Sequence, residues 1–459
     1  MPNIESVELS GWGRYPCAVN SVFRPQTVAE ATAGLDGRII ARGQGRSYGD
    51  AAMLKDGLVM LSERLNRVLA FDEATGLLTA EAGLTLDQIL FDVVPKGWFL
   101  PVTPGTAYVS LGGCIAADVH GKNHHRDGAF GQYVMEFDLA LPDGNIIRCS
   151  HDENEELFRA TIGGMGLTGI ITTVSLRLIP IESAFITVQH LQASDLDASL
   201  ELMESKQWDD AYTVAWIDCL SRGKALGRSV FMRGHHATLA ELPPRARSNP
   251  LRVKVHGQRN VPFDLPSWVL NSIAMTAFNK VYYHVQRAKR APFIADYQSF
   301  FHPLDSVGNW NRMYGRNGFV QYQLVLAPAQ ARSGLLQIIE ELGRNRRPSF
   351  LSVLKRFGPE GDGMLSFPME GYTLTLDIPV RDQGLFPFLD RLDEIVLKFG
   401  GRVYLAKDAR LRADNFRAMY PHFPEWQRIK AKIDPENHFA SDLSRRLEMH
   451  KKSNDGHSD

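Results

Sequence analysis

The chain has 459 residues, 44% of them apolar and 22% charged, enough at about 150 residues per domain for two or three cores. Its 51 Lys and Arg against 52 Asp and Glu leave a formal net charge of −1, which excludes a global nucleic-acid footprint. Composition also excludes a disordered chain, a coiled coil and a disulfide scaffold, since the 4 cysteines form no C-x-x-C pair.

Along the first 180 residues, short β-branched and apolar runs alternate with glycine-rich turns. They predict strands over 38–41, 58–61, 77–82, 137–141, 146–149 and 169–178. Pro142-Asp143-Gly144 reads as the turn of a hairpin. Residues 84–94 carry apolar spacing of three and four, with Thr85 as the expected cap. Beyond Pro180, helices are expected over 195–207, 329–344 and 386–399, and strands over 211–218, 318–327 and 372–380. Residues 404–447 read as helical with proline breaks, and 451–459 as a frayed polar tail. The pattern is α+β; it is not a βαβ array.

Three stretches could bring backbone close to a ligand. Ala41-Arg42-Gly43-Gln44-Gly45-Arg46-Ser47-Tyr48-Gly49-Asp50 follows a strand and can aim successive N–H groups into one concavity. It is neither G-x-G-x-x-G nor a P-loop, and an ordinary tight turn is an equal reading. Gly105, Ser110, Gly112, Gly113 and Ala117 belong to a second small-residue stretch, and residues 163–169 form a third. Together they suggest an extended ligand with a diphosphate on main-chain amides. His120, Lys122, His124 and His125 cluster in six residues. No acid or thiol stands at a ligand spacing nearby, so no metal is expected; a plain polar loop and an active-site loop to which Lys122 lends a positive charge both stay open.

Residues 243–295 hold nine cations against one acid, Asp264. Arg245, Arg247, Arg252, Lys254, Arg259, Lys280, Arg287, Lys289 and Arg290 are interleaved there with Trp268, Phe278, Tyr282 and Tyr283. This suits an anionic membrane surface, with an oligomer contact or mobile insertion as the equal alternative. The few cysteines point to a reducing compartment. Met1–Pro16 lacks a cationic head followed by an apolar core, so no secretory signal is expected. A cytoplasmic protein, peripheral at the inner membrane face, is the expectation.

In order, ARGQGRSYGD (41–50), TPGT (103–106), GGCIAADVHGKNHH (112–125), LPDG (141–144) and GGMGLTGII (163–171) resemble the flavin-binding domain of the vanillyl-alcohol oxidase/p-cresol methylhydroxylase (PCMH) superfamily. GFVQYQ (318–323), SVLKRFG (352–358), LSFPMEGYTLTLDIP (365–379), GGRVYLAKDAR (400–410), MYPHFPEW (419–426) and IDPENHFASDLSRRLE (433–448) narrow the resemblance to the decaprenylphosphoryl-β-D-ribose oxidase family. The resemblance implies an α+β, two-domain flavoprotein. A PCMH-type FAD-binding domain of residues 1–182 and 402–459 would hold an inserted antiparallel-sheet substrate domain, 183–401.

FAD would lay its diphosphate on residues 41–51 and on Ser110–Gly113, with its ring near Gly105, Ala117, His120, Ile171 and Tyr404. Arg46 stands where tethering members often carry histidine, so non-covalent FAD is implied. The implied reaction moves a hydride from ribose C2 of a polyprenyl-phosphoryl pentose to the flavin. A separate NAD(P)H-dependent keto-reductase would complete an epimerisation to arabinose for cell-wall polysaccharide. Lys407, His120 and Tyr48 are the implied catalytic groups, and Lys407 would stabilise the alkoxide or take its proton. On its own, Lys407 reads as a surface lysine paired with Asp408. Lys122, Trp216, Gln321, Gln323, Lys355, Thr373 and Thr375 are the implied substrate contacts. Gln321 and Gln323, two apart on a strand, share a face suited to sugar hydroxyls. The family's actinobacterial members carry cysteine at 375, asparagine at 373 and tyrosine at 301, where this chain has Thr375, Thr373 and Phe301. A second reading is an FAD oxidase of a free alditol, aldonolactone or soluble glycoside.

Overall fold

The computed structural model describes residues 3–33, 37–205, 210–253, 257–266, 271–286 and 291–450. Lys254, Trp268, Arg287, Lys289, Arg290, the end of the helix expected over 195–207, and the expected tail 451–459 lie outside the described residues.

Sheets of four, five and eight strands carry the fold. In the first, Glu5–Ser10 pairs antiparallel with Cys17–Phe23. Leu58–Leu61 then runs parallel to both Cys17–Phe23 and Ile39–Arg42. These parallel pairings are the part of the architecture that the strand-and-turn pattern did not announce. The second sheet is antiparallel throughout, in the order Val68–Asp72, Leu77–Glu81, Ile170–Arg177, Val134–Ala140, Ile146–Ser150. Its last two strands form the expected hairpin, with Gly144 at φ 82° in the turn, a value that favours glycine. Helix Leu86–Val93 packs Leu86, Ile89, Leu90 and Val93 into the core, and Thr85 and Gln88 close its N-terminus as a capping box.

The eight-stranded sheet is antiparallel and draws all its strands from residues 185–403. Its order is Phe293–Asp296, Phe185–Ala193, Ser229–His236, Tyr212–Ile217, Ser352–Phe357, Gly371–Pro379, Phe319–Leu326, Arg402–Val403. Two of these strands, Gly371–Pro379 and Phe319–Leu326, are buried along their whole length. Helices Pro328–Arg344 and Leu385–Lys398 pack on this part of the sheet. The first buries Ala331, Leu335, Ile338, Ile339 and Leu342 at helical spacing.

The expectation of helix from 404 onward needs correction. Arg402–Val403 is an edge strand on Phe319–Leu326, and Leu405–Lys407 is a single 3₁₀ turn. Helices begin only at Ala413–Met419 and continue as Phe423–Ile433 and Asp442–Arg446. This segment returns to the N-terminal half. Phe439 bridges Ile39, and the Trp426 indole donates to the Ala160 carbonyl at 2.9 Å. Helix Ser272–Val285 was not expected, because only Met275 and Asn279 are buried along it. Among the described residues no helix is long and apolar enough to cross a membrane.

Candidate active site

The glycine stretches converge. Gly43 lies so close to Ser110 that a Cβ there would stand 2.1 Å from the Ser110 hydroxyl oxygen. Ser110 in turn caps helix Leu111–Ala116, accepting from the Gly113 amide at 3.3 Å. The third stretch joins them: the Gly163 and Met165 amides donate to the carbonyls of Ile115 and Ala116, at 2.9 and 2.8 Å. Ile171 packs beside Gly112, and the Tyr404 hydroxyl donates to the Ala117 carbonyl at 2.7 Å. Gly105 faces open space, with nothing within 4 Å of a Cβ built on it.

Some residues of the first loop serve the loop itself. The Arg42 guanidinium donates to the carbonyls of Ser10 and Ala52, at 2.7 and 3.1 Å. Asp50 is paired with Arg446 at 2.7 Å. Arg46 stacks its guanidinium on Trp12 at 4.0 Å, while its buried Nε has no hydrogen-bond partner among the described residues. The Tyr48 amide donates to the Ala406 carbonyl at 2.9 Å. Loop 41–50 is thereby docked on the turn that carries Lys407.

Across from the glycines stands one face of the eight-stranded sheet. Register places Trp216, Val353, Thr375 and Gln323 in a row on it, and Lys355 and Thr373 in the next. Period-two alternation adds Gln321 and Asp377 to the same face. His120 meets this face. Its Nε2 lies 2.9 Å from Gln323 Nε2 and its Nδ1 lies 3.0 Å from Lys355 Nζ. Gln323 Nε2 also donates to Thr373 Oγ1 at 3.1 Å. An amide N–H can only donate, so with Gln323 Nε2 facing it His120 Nε2 accepts. Burial and the neighbouring Lys122 and Lys407 push Lys355 down to about 7, and burial with Lys355 holds His120 well below the usual imidazole range.

Lys407 places Nζ 3.9 Å from the centre of the Tyr48 ring. Burial lowers it to about 7, against an opposing pull from Asp377. The pairing with Asp408 does not form. Asp408 turns the other way, 2.8 Å from Arg446, and accepts from the Arg410 and Leu411 amides. Lys122 donates to the Phe301 carbonyl at 3.0 Å and is lowered by burial to about 8.

The histidine cluster diverges. His124 Nδ1 accepts from the Gly358 amide at 3.2 Å, and His125 lies 3.3 Å from both Thr213 Oγ1 and the Asp210 carbonyl. Trp216 reaches the site's face but its ring is covered by Tyr282, 4.7 Å between centroids. Sequence reasoning passed over Asp377 and Tyr314, and over Phe357 and Phe367, which pack on the His120 ring at 4.7 and 5.9 Å. Asp377 left a signal, a lone charge in the apolar strand LTLDIP, two residues from Thr375.

A decaprenylphosphoryl-β-D-ribose oxidase from Mycolicibacterium smegmatis is 38% identical over 450 residues, covering 96% of this chain and 97% of the relative. The chain belongs to that family. An uncharacterized protein of Streptomyces coelicolor is 34% identical over 79% of this chain and all of its own length. L-gulonolactone oxidase of Bos taurus is more distant, 23% identical over 95% of this chain and 97% of the relative. Residues 25–150 match the FAD binding domain family, and residues 379–447 match the D-arabinono-1,4-lactone oxidase family.

The cofactor is FAD, and the chain is an FAD-dependent oxidoreductase acting on alcohol groups. The site suits it. The small-residue stretches converge, Gly105 faces open space, and the buried Arg46 Nε has no hydrogen-bond partner among the described residues, as an extended anionic ligand there would need.

Proposed function

We propose that this family member oxidises the C2 hydroxyl of a polyprenyl-phosphoryl ribose to the keto sugar. The observation that carries the reading is the sheet face of Gln321, Gln323, Thr375 and Lys355, met by His120 and bordered by the turn that sets Lys407 on the Tyr48 ring. Residues 41–50, Gly105, Ser110–Gly113, Ala117, Ile171 and Tyr404 would hold FAD, within a domain of residues 1–182 and 402–459 that brackets 183–401. Bound FAD supplies the two-electron acceptor for the carbinol C–H.

The chain supplies the rest. Lys407, as the neutral amine favoured by burial, takes the hydroxyl proton at Nζ, and the Tyr48 ring face steadies the ammonium that results. Gln323 spends its Nε2 on His120 and Thr373, so Oε1 is the atom turned toward a sugar donor. Lys122 and Lys355 meet the phosphate, whose charge favours their ammonium forms. FAD is held without a covalent bond: position 46 is arginine, and both ring nitrogens of His120 already face Gln323 and Lys355. A trichloroacetic-acid precipitate that stays yellow would refute this point. The keto product calls for a separate NAD(P)H-dependent reductase, and a lipid-linked substrate for peripheral contact with the inner membrane face.

The test is anaerobic mixing of the purified holoprotein with polyprenyl-phosphoryl ribose. The flavin band is expected to bleach. Lys407→Met is expected to retain the band and lose turnover by about 10²–10⁴-fold. Turnover that survives in Lys407→Met removes the lysine from the chemistry. The match of residues 379–447 to the D-arabinono-1,4-lactone oxidase family favours a second reading, oxidation of a free aldonolactone. Bleaching by soluble lactones but not by the lipid-linked ribose would select it.

A further inference from the structure

Asp377 stands on the sheet face that carries Lys355, with Lys122 and Lys407 nearby. Asp377 is fully buried, at 0% exposure, in the middle of strand Gly371–Pro379. Its surroundings are all groups of the site. Gln321, its register partner on the neighbouring strand, donates Nε2 to Oδ1. Tyr314 donates its hydroxyl to Oδ2 at 3.2 Å. Lys407 and Tyr48 both feel its charge. The Asp377 amide is held separately, by Ser349 Oγ at 3.0 Å, so the backbone does not need the carboxylate.

We propose that Asp377 is a positioning residue of this site, fixing the Gln321 amide and the Tyr314 phenol and governing how readily Lys407 holds its proton. Two consequences follow from the geometry. With Nε2 held by Asp377, the Gln321 amide is fixed in orientation beside the Tyr48 hydroxyl, which it also meets. The carboxylate also places a negative charge near the ammonium that forms when Lys407 accepts a proton. Burial raises Asp377 to about 7, with Gln321, Lys407 and Tyr314 pulling the other way. Asp377 and Lys407 each favour the charged form of the other. The groups facing this carboxylate are Tyr314 from the 3₁₀ turn Trp310–Tyr314, Gln321 from strand Phe319–Leu326, Tyr48 from loop 41–50 and Lys407 from its turn. The positive charges of Lys355 and Lys407 oppose each other.

The proposal rests on the reading of Lys407 given above, and its test separates the two. Only a neutral amine is acylated. The pH dependence of Lys407 labelling by acetic anhydride in the FAD-loaded protein, read on the Lys407 peptide by mass spectrometry, reports its proton affinity without any substrate. In Asp377→Asn the labelling midpoint is expected to fall by about one pH unit or more, a tenfold change in proton affinity. Asp377→Glu is expected to restore it. With an oxidised substrate, Asp377→Asn should also raise KM through the loosened Gln321, beyond its effect on kcat. A midpoint unchanged in folded, flavin-loaded Asp377→Asn overturns the proposal. Should that variant not fold, Tyr314→Phe removes one hydrogen bond to the carboxylate, disfavours its charge and must move the midpoint in the same direction. An unmoved midpoint there overturns the proposal as well. Loss of the midpoint shift together with normal oxidation refutes Asp377 alone; failure to oxidise any lipid-linked ribose refutes the substrate assignment alone.

Discussion

Lys407 is the residue on which the proposed chemistry turns, and its protonation can be followed by pH. Its ordinary value of 10.5 is lowered to about 7 because burial penalises the ammonium. A base acts when neutral, so the rate of flavin reduction should rise with pH and level off above about 7. Stopped-flow reduction between pH 5.5 and 9 reads this; a rate that falls across the range would mean that the ammonium, not the amine, does the work. From sequence alone the same lysine reads as half of a surface pair with Asp408. Only the fold shows that Asp408 is taken by Arg446 at 2.8 Å, on the far side of the turn. The assignment came from the YLAKDAR match, whereas the facing of Gln321 and Gln323 followed from strand periodicity. Asp377 escaped because an acid in an apolar strand is uninformative until its neighbours are known, and those lie 56 and 63 positions away.

Between elements, the decisive contact is the docking of loop 41–50 on the turn before Asp408. Gly49 permits it: a Cβ there would fall 1.7 Å from the Asp408 carbonyl oxygen. Gly105 contrasts with it, having no atom within 4 Å. Gly49→Ala is therefore expected to destabilise the fold by about 2 kcal/mol, the scale of overpacking a close contact, and to loosen flavin as Lys407 and the loop move apart. Gly105→Ala should leave the flavin-free protein's melting temperature unchanged and weaken FAD binding only. Thermal melts with and without FAD separate the two; equal losses of stability in both variants would contradict the assignment of Gly105 to the FAD site. These glycines were visible in the sequence as dense close-approach stretches, but which approach what was not. The strands marked by apolar and β-branched runs, such as Leu58–Leu61 and Ile170–Arg177, were legible within about a residue. Glu5–Ser10 was not, since only Val7 and Leu9 of its six residues are large and apolar and none is fully buried.

At the scale of the molecule, the proposed membrane contact would use helix Ser272–Val285. Helix Ser272–Val285 sets its inner side on the substrate sheet, with Tyr282 on Trp216 and Asn279 donating to Asp218 at 2.7 Å. Its outer side exposes Ile273 at 85%, Val281 at 62% and Val285 at 58%, spaced by eight and four residues along one stripe. Exposed Lys280 lies on the same helix, and exposed Arg245, Arg247, Arg252 and Arg259 precede it in the chain. Burying such side chains in lipid contributes about 1.5–3 kcal/mol each, and each cation near an anionic leaflet about 1 kcal/mol. The stripe suits an anionic bilayer, and it lies on the helix that packs Tyr282 onto Trp216 of the sheet face to which a polyprenyl-phosphoryl sugar would have to be delivered. Replacing Ile273, Val281 and Val285 by serine removes little that the fold uses, because all three already face water. The triple variant should keep its flavin and its melting temperature, yet sediment at least about tenfold less with vesicles containing phosphatidylglycerol. Raising salt should weaken the binding of both proteins by screening the charged share. Equal sedimentation of the triple variant and the parent would place the membrane contact elsewhere or remove it.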